Sequence, residues 1–208
     1  MKIVLATRNE GKVAELRRIL GGLDVDLVSA ADLGLEQVEE TGETFAENAL
    51  AKARSAVAVS GLPALADDSG LVVDQLEGQP GVRSARFAGP DADDEANVRL
   101  VLEQLLGMPG RSARFVCVAA LVTPDGREWT AEGVVNGHIV DKPRGTGGFG
   151  YDPIFQPVGE VRTTAEMDPE EKDAISHRGR AFRSIASCIA ALLEPPEQGE
   201  TVPDSGLS

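Results

Sequence analysis

Four short clusters in this 208-residue sequence gather side chains suited to work on phosphate groups. The first is Thr7-Arg8-Asn9-Glu10-Gly11-Lys12, set between the apolar run Ile3–Ala6 and the stripe Val13, Leu16, Ile19. That context makes it the turn between a buried strand and the opening of a helix. A helix N-terminus offers free amides and the positive end of its dipole, both favourable to phosphate. Lys12 adds a full charge, and Gly11 lets the backbone come close. The segment lacks the GxxxxGK[ST] pattern of a P-loop, and an ordinary capped helix with a solvated Lys12 would read the same in isolation.

The second cluster pairs Glu39-Glu40 with Asp67-Asp68. Carboxylates sharing a cleft repel one another unless a cation or proton intervenes. Hard oxygen donors of this kind suit Mg²⁺, which takes one or two carboxylates and keeps waters or substrate phosphates as its other ligands. Gly145-Thr146-Gly147-Gly148-Phe149-Gly150-Tyr151-Asp152-Pro153 is the third, and its glycines carry a large backbone-entropy cost. Flexible main chain around Phe149 and Tyr151 would suit a wall closing over a flat ring. The fourth cluster is Lys172, Ser176 and His177-Arg178. Here cations crowd a second helix start that Ser176 can cap. His138 falls in an expected strand and reads as structural or exposed.

Behind these clusters, the patterning predicts a strand over 3–6, a helix running to Gly21-Gly22 and a second strand over 25–29. Thr44 and Glu47 form a capping-box pair opening a helix that Gly61-Leu62-Pro63 ends. Residues 64–67 and 71–73 read as two short strands around Asp68-Ser69-Gly70. A third helix opens at Asp91 or Asp93 and stops near Gly107. Residues 113–122 and 127–135 flank Thr123-Pro124-Asp125-Gly126 and predict an antiparallel hairpin, with 138–140 as an added edge strand. A last helix carries Phe182, Ile185 and Ile189 and ends at Pro195-Pro196. The expected architecture is α/β: an elongated mixed sheet flanked by helices, in two lobes with a central substrate cleft. It occupies 1–196 as one domain, with a polar, disordered tail over 197–208.

Composition narrows the function. Hydrophobic residues make up 42% and charged residues 26%, a globular balance. The net charge of −14 argues against a general nucleic-acid or anionic-membrane binder. No apolar run reaches the ~18 residues of a membrane helix, and the opening segment meets Arg8 too early for a secretory core. Cys117 and Cys188 lack metal-ligand spacing and read as reduced thiols of a cytoplasmic protein. There is no nucleophile elbow, CxxC, HExxH or GxGxxG.

The blocks ATRNEGK (6–12), ETGETFAENALAKA (40–53), ADDSGLVVD (66–74), PGVRSARFAG (80–89), GTGGFGYDPIF (145–155) and EKDAISHRGRAF (171–182) together resemble the inosine triphosphate pyrophosphatase family, also called HAM1/RdgB-like. That resemblance implies Mg²⁺-dependent hydrolysis of ITP, dITP or XTP to the monophosphate and pyrophosphate, by a homodimer that cleanses the nucleotide pool. It assigns Thr7, Arg8, Asn9, Glu10, Gly11 and Lys12 to the phosphate segment, although Arg8 sits at a variable position and has no assigned role. Asp68 matches the proton acceptor and a metal ligand, and Glu40 the second metal carboxylate. Ser69, Phe149, Gly150, Tyr151, Asp152, Lys172, His177 and Arg178 match the substrate contacts. Lys12, Lys172 and Mg²⁺ would neutralise the triphosphate. Two points stay open in the sequence: whether Glu39 or Glu40 faces the metal, and whether Asp68 is a base or only a ligand. A pyrophosphatase for another base, or a nucleotide sensor without turnover, are the competing expectations.

Overall fold

The computed structural model describes residues 1–36 and 38–193. Strand β1 (Lys2–Leu5) leads into helix α1 (Glu10–Ile19), β2 (Asp26–Ser29), α2 (Phe45–Ser60) and β3 (Ala64–Val73). Helix α3 (Asp94–Gln104), the hairpin β4 (Ser112–Val122) and β5 (Glu128–Ile139), the short β6 (Phe155–Pro157), α4 (Pro169–Ile175) and α5 (His177–Leu193) follow. The six strands form one sheet in the order β2-β1-β3-β4-β5-β6. The two pairings of β1, with β2 and β3, are parallel, and all later pairings are antiparallel. Crossovers through α1 and α2 impose the first arrangement, and the tight turn at Thr123–Gly126 imposes the second.

Strand alternation divides the apolar side chains between two faces. Ile3, Leu5, Leu65 and Leu121 meet Leu16 of α1 and Phe182, Ile185 and Ile189 of α5. Ala66, Val118 and Ala120 point to the other face, against Ala49 and Ala53 of α2. The small residues let α2 lie close to the sheet. Beyond the midpoint of β3 a separate core begins, in which Leu71, Phe115, Val135 and Phe155 pack with Val98, Val101 and Leu105 of α3. These separate cores make the two lobes, joined by the long strands β3, β4 and β5.

Local signals account for most element ends. Thr44 Oγ1 accepts from the Glu47 amide and Glu47 returns a carboxylate to Thr44, a reciprocal cap worth about 1 kcal/mol. Gly61, in the left-handed region at φ 66°, ends α2. Asp93 rather than Asp91 caps α3.

Three expectations need correction. Residues 64–73 form one strand, not two, because Asp68, Ser69 and Gly70 pair in register with Val118, Cys117 and Val116. Gly70 is there for space: a Cβ would lie 2.3 Å from the Gly81 carbonyl oxygen. Residues 138–139 prolong β5, and the added edge strand is Phe155–Pro157. Helix α4 was not expected at all. The boundary at 196 and the 197–208 tail lie outside the described residues. Among those described, no helix is long and apolar enough to cross a membrane.

Candidate active site

Because successive strand residues face opposite ways, Asp67 and Asp68 serve two different surroundings. Asp68 points toward α2, where Asn48 Nδ2 donates to Oδ2 at 2.9 Å and Lys52 Nζ donates to Oδ1 at 3.3 Å. Asn48 and Lys52 stand four residues apart, which puts both on one helix face. Lys52 also donates to Glu40 Oε1 at 2.5 Å, so one ammonium holds two carboxylates. Glu40 is partly buried while Glu39 is exposed, which identifies the inward-facing acid of that pair. Burial, reinforced by the Glu40 charge and opposed by Lys52 and Asn48, keeps the Asp68 carboxyl above the usual range. Burial acts on Glu40 in the same sense, but Lys52, Lys12 and Arg86 together outweigh it and hold that carboxyl low.

Asp67 points the other way and is buried. Lys12 of α1 reaches its Oδ2 at 3.0 Å, and Arg178 of α5 does so through Nη2, also at 3.0 Å. Burial alone would raise Asp67, yet Lys12, Arg178 and Lys52 hold it well below the ordinary value. Arg178 Nη1 donates in turn to Glu15 Oε2 at 2.6 Å, and Lys172 of α4 bridges Glu15 Oε1 at 2.8 Å and Asp152 Oδ2 at 2.5 Å. A continuous chain of alternating charge therefore runs Lys12–Asp67–Arg178–Glu15–Lys172–Asp152 through the centre of the protein. Arg178 and Lys172 are only 2% and 5% exposed. His177 lies beside them, its ring stacked on Phe115 at 4.7 Å between centroids. Burial and the charges of Arg178 and Lys172 push its pKa well below the ordinary value, so the imidazole is neutral.

The glycine-rich segment closes over this chain. Asp152 accepts the Phe149 amide at 2.9 Å and a hydroxyl from Thr164 at 2.7 Å, which bends residues 148–152 around one carboxylate. Gly148, at φ 72°, must be glycine, since a Cβ would sit 2.1 Å from Asp152 Oδ2. The Phe149 ring rests 5.0 Å from Lys172 Nζ and 5.5 Å from the Arg178 guanidinium. Tyr151 is buried and donates its hydroxyl to the Ser84 carbonyl.

Two adjoining cavities result. The first lies between Asp68, Ser69, Phe149, Gly150, Tyr151, Lys172, His177 and Arg178. The second is framed by Thr7, Arg8, Lys52 and the residues after β2. Asn9, Lys12 and Glu40 line both. Of the anticipated residues, Glu10 is exposed and lines neither. Gly11 also lines neither, but a Cβ there would lie 2.8 Å from the Phe149 ring. The Asn9 side chain caps α1 by accepting the Lys12 amide at 2.9 Å. Asp152 reaches the first cavity with its carboxylate already engaged by Lys172, Phe149 and Thr164. Lys172 lines only the first cavity, so the lysines lining the second are Lys12 and Lys52. Glu15, Asn48 and Lys52 escaped the sequence reading as site residues, whereas Asp67 was singled out there beside Asp68 without a role of its own. The four-residue spacing of Asn48 and Lys52 behind the Thr44 cap was the available signal for two of them.

A flat ring at one end and anionic groups at the other match the two cavities, the architecture of an α/β nucleotide-handling protein. More narrowly, the chain belongs to the Ham1 family, whose sequence profile matches residues 3–188. A "dITP/XTP pyrophosphatase" of Streptomyces coelicolor is 54% identical over 197 residues, covering 92% of this chain and 98% of that protein. The solved structure of a HAM1 protein from Coxiella burnetii superposes with a TM-score of 0.84 at 44% identity, covering 92% and 99% of the two chains. A Mycobacterium abscessus structure described as a nucleoside-triphosphatase and dITP/XTP pyrophosphatase gives 0.71 at 52% identity, over 94% and 100%.

Proposed function

We propose that the protein hydrolyses the triphosphates of deaminated purines, ITP, dITP and XTP, to the monophosphate and pyrophosphate, with Asp68 as the residue that handles the attacking water. The single observation carrying this is the setting of Asp68: a buried carboxylate fixed by Asn48 and Lys52 that lines the first cavity together with Glu40 and Lys12, residues shared with the second. A general base must stand within hydrogen-bond reach of the proton it takes.

The purine enters the first cavity against Phe149. Two of the three Lys172 protons go to Glu15 and Asp152, which leaves one to donate into the cavity. A C6 keto oxygen, as in hypoxanthine and xanthine, accepts such a donor, whereas the C6 amino group of adenine would set donor against donor. The phosphates extend into the second cavity, where Lys12 and Lys52 balance their charge as compact cations. Asp68 then takes the proton of the water that attacks the α-phosphorus, and pyrophosphate leaves along the lysine-lined side.

Glu40 and Asp68 are the residues that would hold Mg²⁺. Their fit is supported by the donor set: two hard carboxylates, from different segments of the chain, are drawn together on one ammonium. Such a site suits an ion that completes its shell with waters and phosphates. When bound, the ion supplies polarisation of phosphoryl oxygen and acidifies water.

The test incubates wild-type and Asp68→Asn protein with ITP, XTP, dITP, GTP, ATP and UTP in Mg²⁺ and separates products by anion exchange. IMP with pyrophosphate from ITP is expected, with a loss of about 10²–10⁴-fold in the variant. IDP with orthophosphate would refute the bond assignment, and an unimpaired variant would remove Asp68 from the chemistry.

A further inference from the structure

The segment that delivers Glu40 is poorly anchored. Residues 38–41 make no main-chain to main-chain hydrogen bond among the described residues. Glu40 has two holds instead. Lys52 grips Oε1, while Arg86 donates Nη2 to the Glu40 carbonyl at 2.9 Å and Nη1 to Oε2 at 3.4 Å. The two holds differ in kind. Lys52 is shared with Asp68 and faces the second cavity, so an arriving phosphate competes for it. Arg86 binds the main chain of Glu40 as well as its carboxylate, and lines neither of the two cavities.

Arg86 is also presented from a rigid base. Ser84 Oγ accepts the Leu71 amide of β3 at 2.9 Å, and the Ser84 carbonyl accepts the Tyr151 hydroxyl at 2.8 Å. On the far side, Asn97 of α3 donates to the Ala85 carbonyl at 3.2 Å and accepts the Ala88 amide at 2.8 Å. The guanidinium therefore projects from a turn fixed on both flanks toward a segment that lacks such fixing. Its planar fork can reach carbonyl and carboxylate together, a geometry a lysine cannot copy.

We infer that Arg86 is a positioning residue that holds Glu40 in place for the divalent cation, and that it sets how tightly the site binds that cation. This rests on the function proposed above. Without Arg86, Glu40 keeps only Lys52, which it shares with Asp68, so more of the ordering of the 38–41 segment falls to the ion and the cost appears as weaker metal binding.

The experiment compares wild type, Arg86→Ala, Arg86→Lys, Glu40→Gln and the Arg86→Ala/Glu40→Gln pair. Mn²⁺ binding is titrated directly by electron paramagnetic resonance, with a non-hydrolysable ITP analogue present. The Mg²⁺ dependence of ITP turnover is measured in parallel. Arg86→Ala is expected to weaken Mn²⁺ about tenfold and raise half-saturating Mg²⁺ by a similar factor, with kcat largely restored at high Mg²⁺. Arg86→Lys should recover little of the loss, and the double variant should bind Mn²⁺ no worse than Glu40→Gln alone. Unchanged Mn²⁺ affinity in Arg86→Ala, or a kcat loss that Mg²⁺ does not restore, would overturn the inference. The Mn²⁺ titration requires no turnover, so a wild type that fails to hydrolyse ITP would count against the proposed function alone.

Discussion

Glu15→Gln removes one charge from the middle of the buried chain that joins α1, α4 and α5. Glu15 holds Arg178 at 2.6 Å and Lys172 at 2.8 Å, and burial would raise its pKa had those two cations not driven it below the ordinary value. Breaking a buried pair by deleting one partner costs about 3–5 kcal/mol. Here each cation keeps a second carboxylate, Asp152 for Lys172 and Asp67 for Arg178, which favours the lower end, about 3 kcal/mol. The amide cannot copy the carboxylate, because its NH₂ must face one of two N–H donors. At about 2–4 °C per kcal/mol for a chain of this size, Tm should fall by about 6–12 °C. Urea unfolding at neutral pH measures the same loss. Adding salt should change it little, since buried charges are weakly screened. Lys172 and Arg178 also border the ring-binding cavity, so the preference for ITP over ATP should shrink in kcat/KM. Stability within about 0.5 kcal/mol of wild type, the ordinary range of surface substitutions, would refute the view that this chain of charges is a structural unit.

Three further outcomes follow from the same geometry. His177 is neutral in the fold, whereas the unfolded chain takes up a proton near pH 6.5. Its contribution is therefore complete above that pH and is lost as pH falls, at up to about 1.4 kcal/mol per unit. Urea midpoints between pH 5 and 7 should show this limb, and His177→Gln should flatten it. Lys12→Ala takes one of the cations from Asp67 and clears the junction of the cavities, so it should weaken ITP binding far more than inosine binding in calorimetry. Equal losses would contradict a phosphate role for Lys12. Gly148→Ala meets both the left-handed backbone and the Asp152 carboxylate. It should lower thermal stability and raise KM for ITP several-fold, and an unaltered KM would detach the glycine segment from substrate binding.

What could be read from the sequence depended on how local its cause is. The Thr44–Glu47 cap, the hairpin turn and the Ser176 cap, whose Oγ accepts the Gly179 amide at 2.9 Å, are set within a few residues and were legible. Asp68-Ser69-Gly70 was misread because serine and glycine weaken an isolated strand. Here the ladder to β4 and the close approach of Gly81 decide instead. Helix α4 spans only seven residues and has no apolar stripe, although Pro169 and the Asp168–Glu171 capping box mark its start. Glu15 and Lys52 look like solvated helix positions in sequence. Only the packing of α1 and α2 on opposite faces of the sheet reveals Glu15 as a buried charge and Lys52 as a partly buried one.

That placement also explains how a protein of net charge −14 can hold a polyanion. In the cleft, Lys12, Lys52, Lys172 and Arg178 face Glu15, Glu40, Asp67, Asp68 and Asp152, so the cations are already matched by protein carboxylates. Long-range attraction for a bare triphosphate is accordingly weak, and the field at the cleft cannot by itself concentrate one. What the network provides is direction: donors held in fixed positions by their own counter-charges reorganise little when ligand arrives. A triphosphate entering a site whose carboxylates already outnumber its cations must bring compensating positive charge with it. In the function proposed above, the inward-facing Glu40 and Asp68 would receive that charge, and metal handling and substrate handling would then rest on the same pair of carboxylates.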